Sequence, residues 1–413
     1  MTSAQPGGHA ALVEALHGRG LLDEPWRAVW HAVPRDPFIP RRAWRQGPTA
    51  CEPLTTEAEW LALVHSDEPV VIQLDDGRPD GPGIATSSNS QPSMVARMLR
   101  LLLVDDGHRV LEIGTASGYV SALLSRRLGA RNVYSVEVDP GLAHHAAAAL
   151  RAAGYEPHLA CTDGEEGWPA HAPFDRILAT CALRTVPHAL VRQLHPGGVL
   201  VAPLTRDFWS GAVVRLTADG TGSAAGRFQG GASYMPMRSH RPVDPLPVDR
   251  TSHRVTGARV DPRELLTLGF ALYAGTRLPD VRMWHADRDG GAEVWLRDPD
   301  GCAASAATGE AAHEYGVRDL WQEVERVREE YVALGSPEAR DFGLTVTAHG
   351  QQVWLHHPER VVDPAPVPGS GSKRDPARAP ATQSRAVATV GHAPRPLSPQ
   401  EATCPTPTSG SPA

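Results

Sequence analysis

VLEIGTASGY, residues 110–119, carries more of the architecture than any other segment of the chain. Its first four residues read as a buried strand, the Gly114–Gly118 bend follows, and the apolar spacing of GYVSALLSRRLG then reads as a helix. A glycine turn between strand and helix lets the backbone approach a ligand and aims the unpaired N–H groups of the helix start into the crevice at the strand tip. Outward from this pivot the pattern is regular: strand NVYSVEV, helix PGLAHHAAAALRAAG, strands EPHLAC and FDRILAT, helix VPHALVRQL and strand GGVLVAPL. Alternation at this spacing predicts a parallel α/β sheet with right-handed crossovers and helices on both faces. Strands near 211–217 and 226–236 are expected to close it antiparallel.

Upstream, residues 9–18 and 24–33 have helical spacing, PRDPFIP breaks it, and PVVIQL (69–74) reads as a short strand. The run SSNSQPS (87–93) precedes the apolar series MVARMLRLLLV, and its hydroxyl and amide groups are expected to cap the helix that follows. Downstream, the proline-rich bridge 240–249 marks a boundary, so that residues 1–245 form one domain. Residues 246–361 are expected to form a smaller α+β domain. It holds a helix in VRDLWQEVERVREEYVALG, with Val317 on its apolar face, a strand over 293–301 and a hairpin over 344–358. The Pro, Ser and Ala density of 362–413 cannot bury enough apolar surface to offset chain entropy, which predicts a disordered tail.

The 413 residues carry 40 basic and 47 acidic side chains, and the net charge of -7 argues against a nucleic-acid partner. Five cysteines without CxxC spacing signal neither disulfides nor a metal site. No apolar run approaches the roughly 20 residues of a membrane span, and a cytoplasmic location without membrane contact is expected.

Three acids surround the glycine bend. Glu112 lies two residues before it, Glu137 ends the next strand where a ribose diol is held, and Asp163 follows the third strand near an adenine position. The GxxxG spacing of Gly114 and Gly118 lacks the close pyrophosphate approach of a dinucleotide site. A cationic donor, S-adenosylmethionine, suits these acids better than NAD.

The series SQPSMVARML, VLEIGTASGY, VYSVEVD, TDGEEGW, APFDRILAT and QLHPGGVLVAPL closely resembles protein-L-isoaspartate O-methyltransferases of the class I methyltransferase fold, whose sheet is Rossmann-like. WRAVWHAVPRDPFIP is similar to that family's opening segment and YMPMRSH (234–240) to its closing strand. The resemblance implies Ser90 as the active-site serine that holds the acceptor carboxylate. It implies a donor site of Ser88, Asn89, Glu112, Gly114, Thr115, Ser117, Gly118, Glu137, Val138, Asp163, Gly164 and Thr180, with no metal. Ala116 replaces the family's second loop glycine, and Ser88 and Asn89 replace its threonine and isoleucine.

A carboxylate acceptor, with a pKa of about 3.9, is already ionised near neutrality and needs no base, which matches the lack of a His/Asp dyad in these motifs. The extra length is similar to the relatives that accompany ribosomally made lanthipeptides and graspetides, and it implies methylation of an aspartyl side chain in a cyclised precursor, leading to aspartimide or isoaspartate. Trp284, Trp295 and Trp354 are candidates for the peptide-docking surface. Repair of isoaspartyl proteins is the alternative. Two further classes are a catalytically inactive donor-binding protein that docks peptides, and a dinucleotide oxidoreductase, which the glycine spacing disfavours.

Overall fold

The computed structural model describes residues 8–47, 50–242, 246–251, 253–288 and 290–364, so the expected tail lies almost wholly outside the described residues. Its spine is a nine-stranded sheet. In spatial order the strands are Gly350–Leu355, Phe342–Thr347, Ala224–Gly231, Trp209–Ala218, Leu194–Arg206, Phe174–Ala179, Val110–Ile113, Val133–Glu137 and His158–Cys161. The last five run parallel, and the pairs from Leu194–Arg206 outward to Gly350–Leu355 are antiparallel. The central strands are buried on both faces, as their near-continuous apolar runs require.

The helix Pro92–Leu102 shows why the helical faces hold. Val95, Met98, Leu99 and Leu102 recur at helical spacing and are all buried, each contributing roughly 1.5–3 kcal/mol relative to exposure. Its start differs from expectation. SSNSQPS does not cap it: residues 85–89 form a strand, Gln91 at the N-cap makes no side-chain cap bond, and the amide of Ser93 donates instead to Asp67 Oδ1 at 2.7 Å. The capping oxygen comes from 26 residues upstream, outside any local motif.

That strand belongs to a small antiparallel sheet in the order Cys51–Pro53, Trp44–Gln46, Val70–Leu74 and Ala85–Asn89. The Gly/Pro stretch between its last two strands is closed by the Asp75 carboxylate, which accepts the amides of Gly83 (2.8 Å) and Ile84 (2.9 Å). This sheet sits over the C-terminal ends of the parallel strands and roofs the candidate site.

Past 246, a five-stranded antiparallel sheet is ordered Arg254–Thr256, Ala312–Tyr315, Ala303–Ala307, Gly291–Arg297 and Arg282–Arg288. The helix Leu320–Ala333 packs on it. Val317 precedes that helix and is 94% exposed, so it takes no part in the apolar face expected for it. The hairpin 342–355 departs furthest from the pattern of a self-contained second domain: it pairs with Ala224–Gly231 and lengthens the main sheet. Phe342, Leu344 and Val346 share one core with Leu200, Val214 and Phe228. No helix among the described residues is long and apolar enough to cross a membrane, and no cluster of His, Cys, Asp or Glu among them is arranged to hold a metal.

Candidate active site

A cavity of about 400 Å³ opens where the strands Val110–Ile113 and Val133–Glu137 end. Gly114 turns at φ +97°, and a Cβ there would lie 2.9 Å from Thr180 Oγ1, so only glycine leaves the floor clear. Thr180 locks the turn by donating to Gly114 O at 2.6 Å. Ala116, where a glycine is expected, takes φ +48°, a left-handed conformation that costs an L-residue roughly 1–2 kcal/mol. Its amide donates to Glu137 Oε2 at 2.8 Å, while Glu137 Oε1 accepts the Asp139 amide at 3.0 Å. Each carboxylate oxygen thus keeps a further acceptor position beside the cavity it lines. Burial raises the pKa of Glu137, and the two amide bonds oppose that shift.

Of the residues expected from sequence, Ser88, Ser90, Gly114, Glu137, Val138, Asp163, Gly164 and Thr180 line this cavity. Asn89, Glu112, Thr115 and Ser117 do not; all four are buried behind it. Gly118 is absent from the lining too and, at φ +84°, starts the helix Tyr119–Leu128. Asn89, at the end of the strand 85–89, is buried; it takes the Arg35 guanidinium on Oδ1 (2.8 and 3.0 Å) and donates to Ser117 Oγ at 2.8 Å. Glu112 lies beneath the turn, where the hydroxyls of Ser121 and Ser135 donate to its Oε2. It faces protein rather than a cationic ligand.

Three of the lining residues that were not singled out from the sequence bear on the site's chemistry. Tyr234, in the segment expected as a closing strand, lies instead in an extended crossing beyond the strand end at Gly231 and lines the cavity with Ser90. Arg238 pairs with Asp139 (3.0 Å) and Asp76 (3.1 Å), and Arg241 grips both Asp76 oxygens at 2.6 and 2.7 Å. These pairs tie the roof sheet to the segment after Tyr234. Only the place of Tyr234 and Arg238 in YMPMRSH hinted at them, and Arg241 follows that segment directly. Among the described residues the lining contains no histidine or lysine, and burial pushes the Cys181 thiol up to about 12, which keeps it protonated.

A family model, protein-L-isoaspartate(D-aspartate) O-methyltransferase, matches residues 8–241. The chain belongs to that family. A protein-L-isoaspartate O-methyltransferase of Methanosarcina mazei is 39% identical over 228 residues, 55% of this chain and 81% of the relative. Protein-L-isoaspartate O-methyltransferase 1 of Cupriavidus necator is 37% identical over 216 residues, 51% and 71% of the two chains. A solved protein-L-isoaspartate O-methyltransferase superposes with a TM-score of 0.51 at 18% identity, covering 84% of this chain and all of its own, which supports the fold alone. The protein is a carboxyl O-methyltransferase that uses S-adenosylmethionine. The site fits that donor: the Glu137 oxygens suit a ribose diol, the Gly114 turn leaves room for a close approach, and the cavity has the size of a small-molecule pocket.

In this isoaspartate methyltransferase relative, Glu112 yields a prediction about pH. Burial pushes its carboxyl up to about 7 from 4.5, against the bonds from Ser121 and Ser135. Between those values the folded chain holds a proton that the unfolded chain has lost, so stability falls as pH rises through this window. Glu112→Gln is expected to match the parent near pH 4.5 and to exceed it by about 3 kcal/mol above pH 8. Denaturant midpoints across this range measure the difference, and parallel pH profiles would refute it. Burial pushes Glu314 up to about 7 as well, so the comparison between variant and parent, rather than the parent's own slope, isolates Glu112.

Proposed function

We propose that the protein methylates the free carboxylate of L-isoaspartyl residues in polypeptides. The observation that carries this reading is that the hydroxyl-bearing Ser90 and Tyr234 line one cavity with Arg238 and Arg241, with no histidine or lysine among its described lining residues. Such a set suits an acceptor that arrives ionised and has to be held rather than deprotonated. When bound, S-adenosylmethionine supplies the methyl group on a sulfonium. Ser90 donates a hydrogen bond to the acceptor carboxylate, Tyr234 lines the same cavity, and the roof sheet excludes water. Positioning of this kind contributes on the order of 7–11 kcal/mol to such reactions. The names of the similar proteins from Methanosarcina mazei and Cupriavidus necator support the isoaspartyl acceptor over the aspartyl acceptor favoured from sequence length.

A second reading keeps the aspartyl side chain of a cyclised ribosomal peptide as acceptor. The sheet 254–315 beside the site favours it, since repair of arbitrary chains has no evident need for such an addition. One assay separates the two. Methyl transfer from labelled donor to a linear L-isoaspartyl hexapeptide, with the aspartyl twin inert, is the expected result. Transfer to neither peptide would exclude linear repair substrates and leave the cyclised one.

Ser90→Ala is expected to lower kcat about tenfold, the value of one hydrogen bond to a charged acceptor, with donor affinity unchanged. Turnover equal to the parent's would remove Ser90 from the reaction.

A further inference from the structure

A second cavity, about 920 Å³, continues the first: Met94, Ser233 and Pro236 line both. Met283, Trp284 and His285, from the strand Arg282–Arg288, line it as well. This strand is the last of the five-stranded sheet, and among the described residues no other strand pairs with its outer side. Its pairing with Gly291–Arg297 runs through seven residue pairs without a bulge, and it contains no proline. The opposite border of the sheet, Arg254–Thr256, is only three residues long and offers little to pair with.

One bond sets the backbone phase of the longer border. The Met283 amide donates to Asp207 O at 2.9 Å, in the turn after Leu194–Arg206, so Met283 directs its peptide groups away from Gly291–Arg297. Such directions alternate along an antiparallel strand, hence His285 and Asp287 also turn their N–H and C=O groups outward. Every residue from Trp284 to Arg288 is exposed. Arg288 is drawn back to Glu293 and Glu310 (3.0 and 3.2 Å) and does not cover the border. Of the tryptophans expected to dock peptide, Trp284 alone lines the cavity, 40% exposed; Trp295 stacks on it at 6.3 Å and Trp354 is buried in the core.

We propose that the substrate polypeptide is held here by strand addition. The residues beside the methylated one pair as a sixth strand along Met283–Asp287, and the side chain opposite Trp284 rests on its ring. Main-chain pairing asks nothing of neighbouring side chains and so admits polypeptides of any sequence. Continuity with the cavity that holds the acceptor singles out the substrate chain as the occupant. The inference rests on the reading that the acceptor is a polypeptide.

It is tested with L-isoaspartyl peptides of about twelve residues whose backbone amides are N-methylated at alternate positions, in either phase, on one or the other side of the acceptor. N-methylation removes a donor and crowds the pairing side of the chain. On one side of the acceptor, one phase is expected to raise KM about tenfold over the unmodified peptide, the worth of one or two backbone hydrogen bonds. The other phase is expected to stay within about twofold, with kcat constant. His285→Pro removes one outward N–H at a border position that tolerates proline, and is expected to erase the difference between phases. Equal KM for both phases on both sides would overturn strand addition and leave the proposed function standing. Failure to methylate even the unmodified peptide, with donor bound, would remove both. A dimer of the parent that His285→Pro dissociates would give the border to a second copy of the chain and overturn the proposal. Should His285→Pro fail to fold, the parent's response to the two phases decides alone.

Discussion

Glu137→Ala is expected to weaken binding of S-adenosylhomocysteine about 100-fold or more while the fold survives. The carboxylate ends a fully buried strand, and each of its oxygens already holds one loop amide, from Ala116 or Asp139. On the proposed reading both oxygens also accept the ribose hydroxyls of the donor. Hydrogen bonds to a charged group are worth about 1.5–3 kcal/mol each, so losing two costs at least about 3 kcal/mol, or roughly 100-fold. The substitution also releases the Ala116 amide and lets the left-handed turn relax, which adds to the loss. Calorimetric titration measures the affinity, and a dissociation constant within threefold of the parent's would mean that Glu137 only braces the loop.

Arg35→Leu is expected to cost about 4 kcal/mol of folding stability, a large share of the 5–15 kcal/mol typical of a domain. The guanidinium is wholly buried. It donates to Asn89 Oδ1 and to the carbonyls of Val64 (2.8 Å), Ser66 (3.2 Å), Glu68 (3.3 Å) and Ser90 (3.4 Å). Burial pulls its pKa down to about 10, which still leaves it charged at neutrality. Leucine would strand these acceptors at about 1–3 kcal/mol apiece, partly recovered as the segment relaxes. Arg35→Lys keeps the charge but loses the planar fork, and recovers less than half of the deficit. An unchanged denaturant midpoint for Arg35→Leu would show that water satisfies these carbonyls equally well. Because Asn89 passes the contact on to Ser117 beside the glycine bend, the same variant is expected to lower turnover in whatever fraction stays folded.

The parts legible in the sequence are those encoded locally. The strand–turn–helix around Gly114, the parallel order of the sheet and the helices His9–Gly18 and Glu24–Ala32 follow from periodicity and turn residues within short windows. Glu137 and Asp163 could be placed because a strand end fixes where the next residue points. What stayed hidden is long-range. Trp44–Gln46 and Cys51–Pro53 are three residues each, too short to display a period of two. Glu112 was read as facing ligand because an acid in a buried strand invites that reading; the serines that satisfy it, at 121 and 135, come from different elements. Arg35 lies among prolines in PRDPFIP and reaches partners 54 and 55 residues away. No window of sequence contains that network.

The hairpin 342–355 has a bearing on how this enzyme can be handled. It covers the hydrogen-bonding edge of Ala224–Gly231, and Gly343 accommodates the Trp354 ring so closely that any Cβ would meet it at 2.0 Å. A catalytic fragment trimmed to the family's length would bare a sticky border and half of a shared interior. Grafting or minimising this methyltransferase therefore has to carry the far end of the chain along with the chemistry.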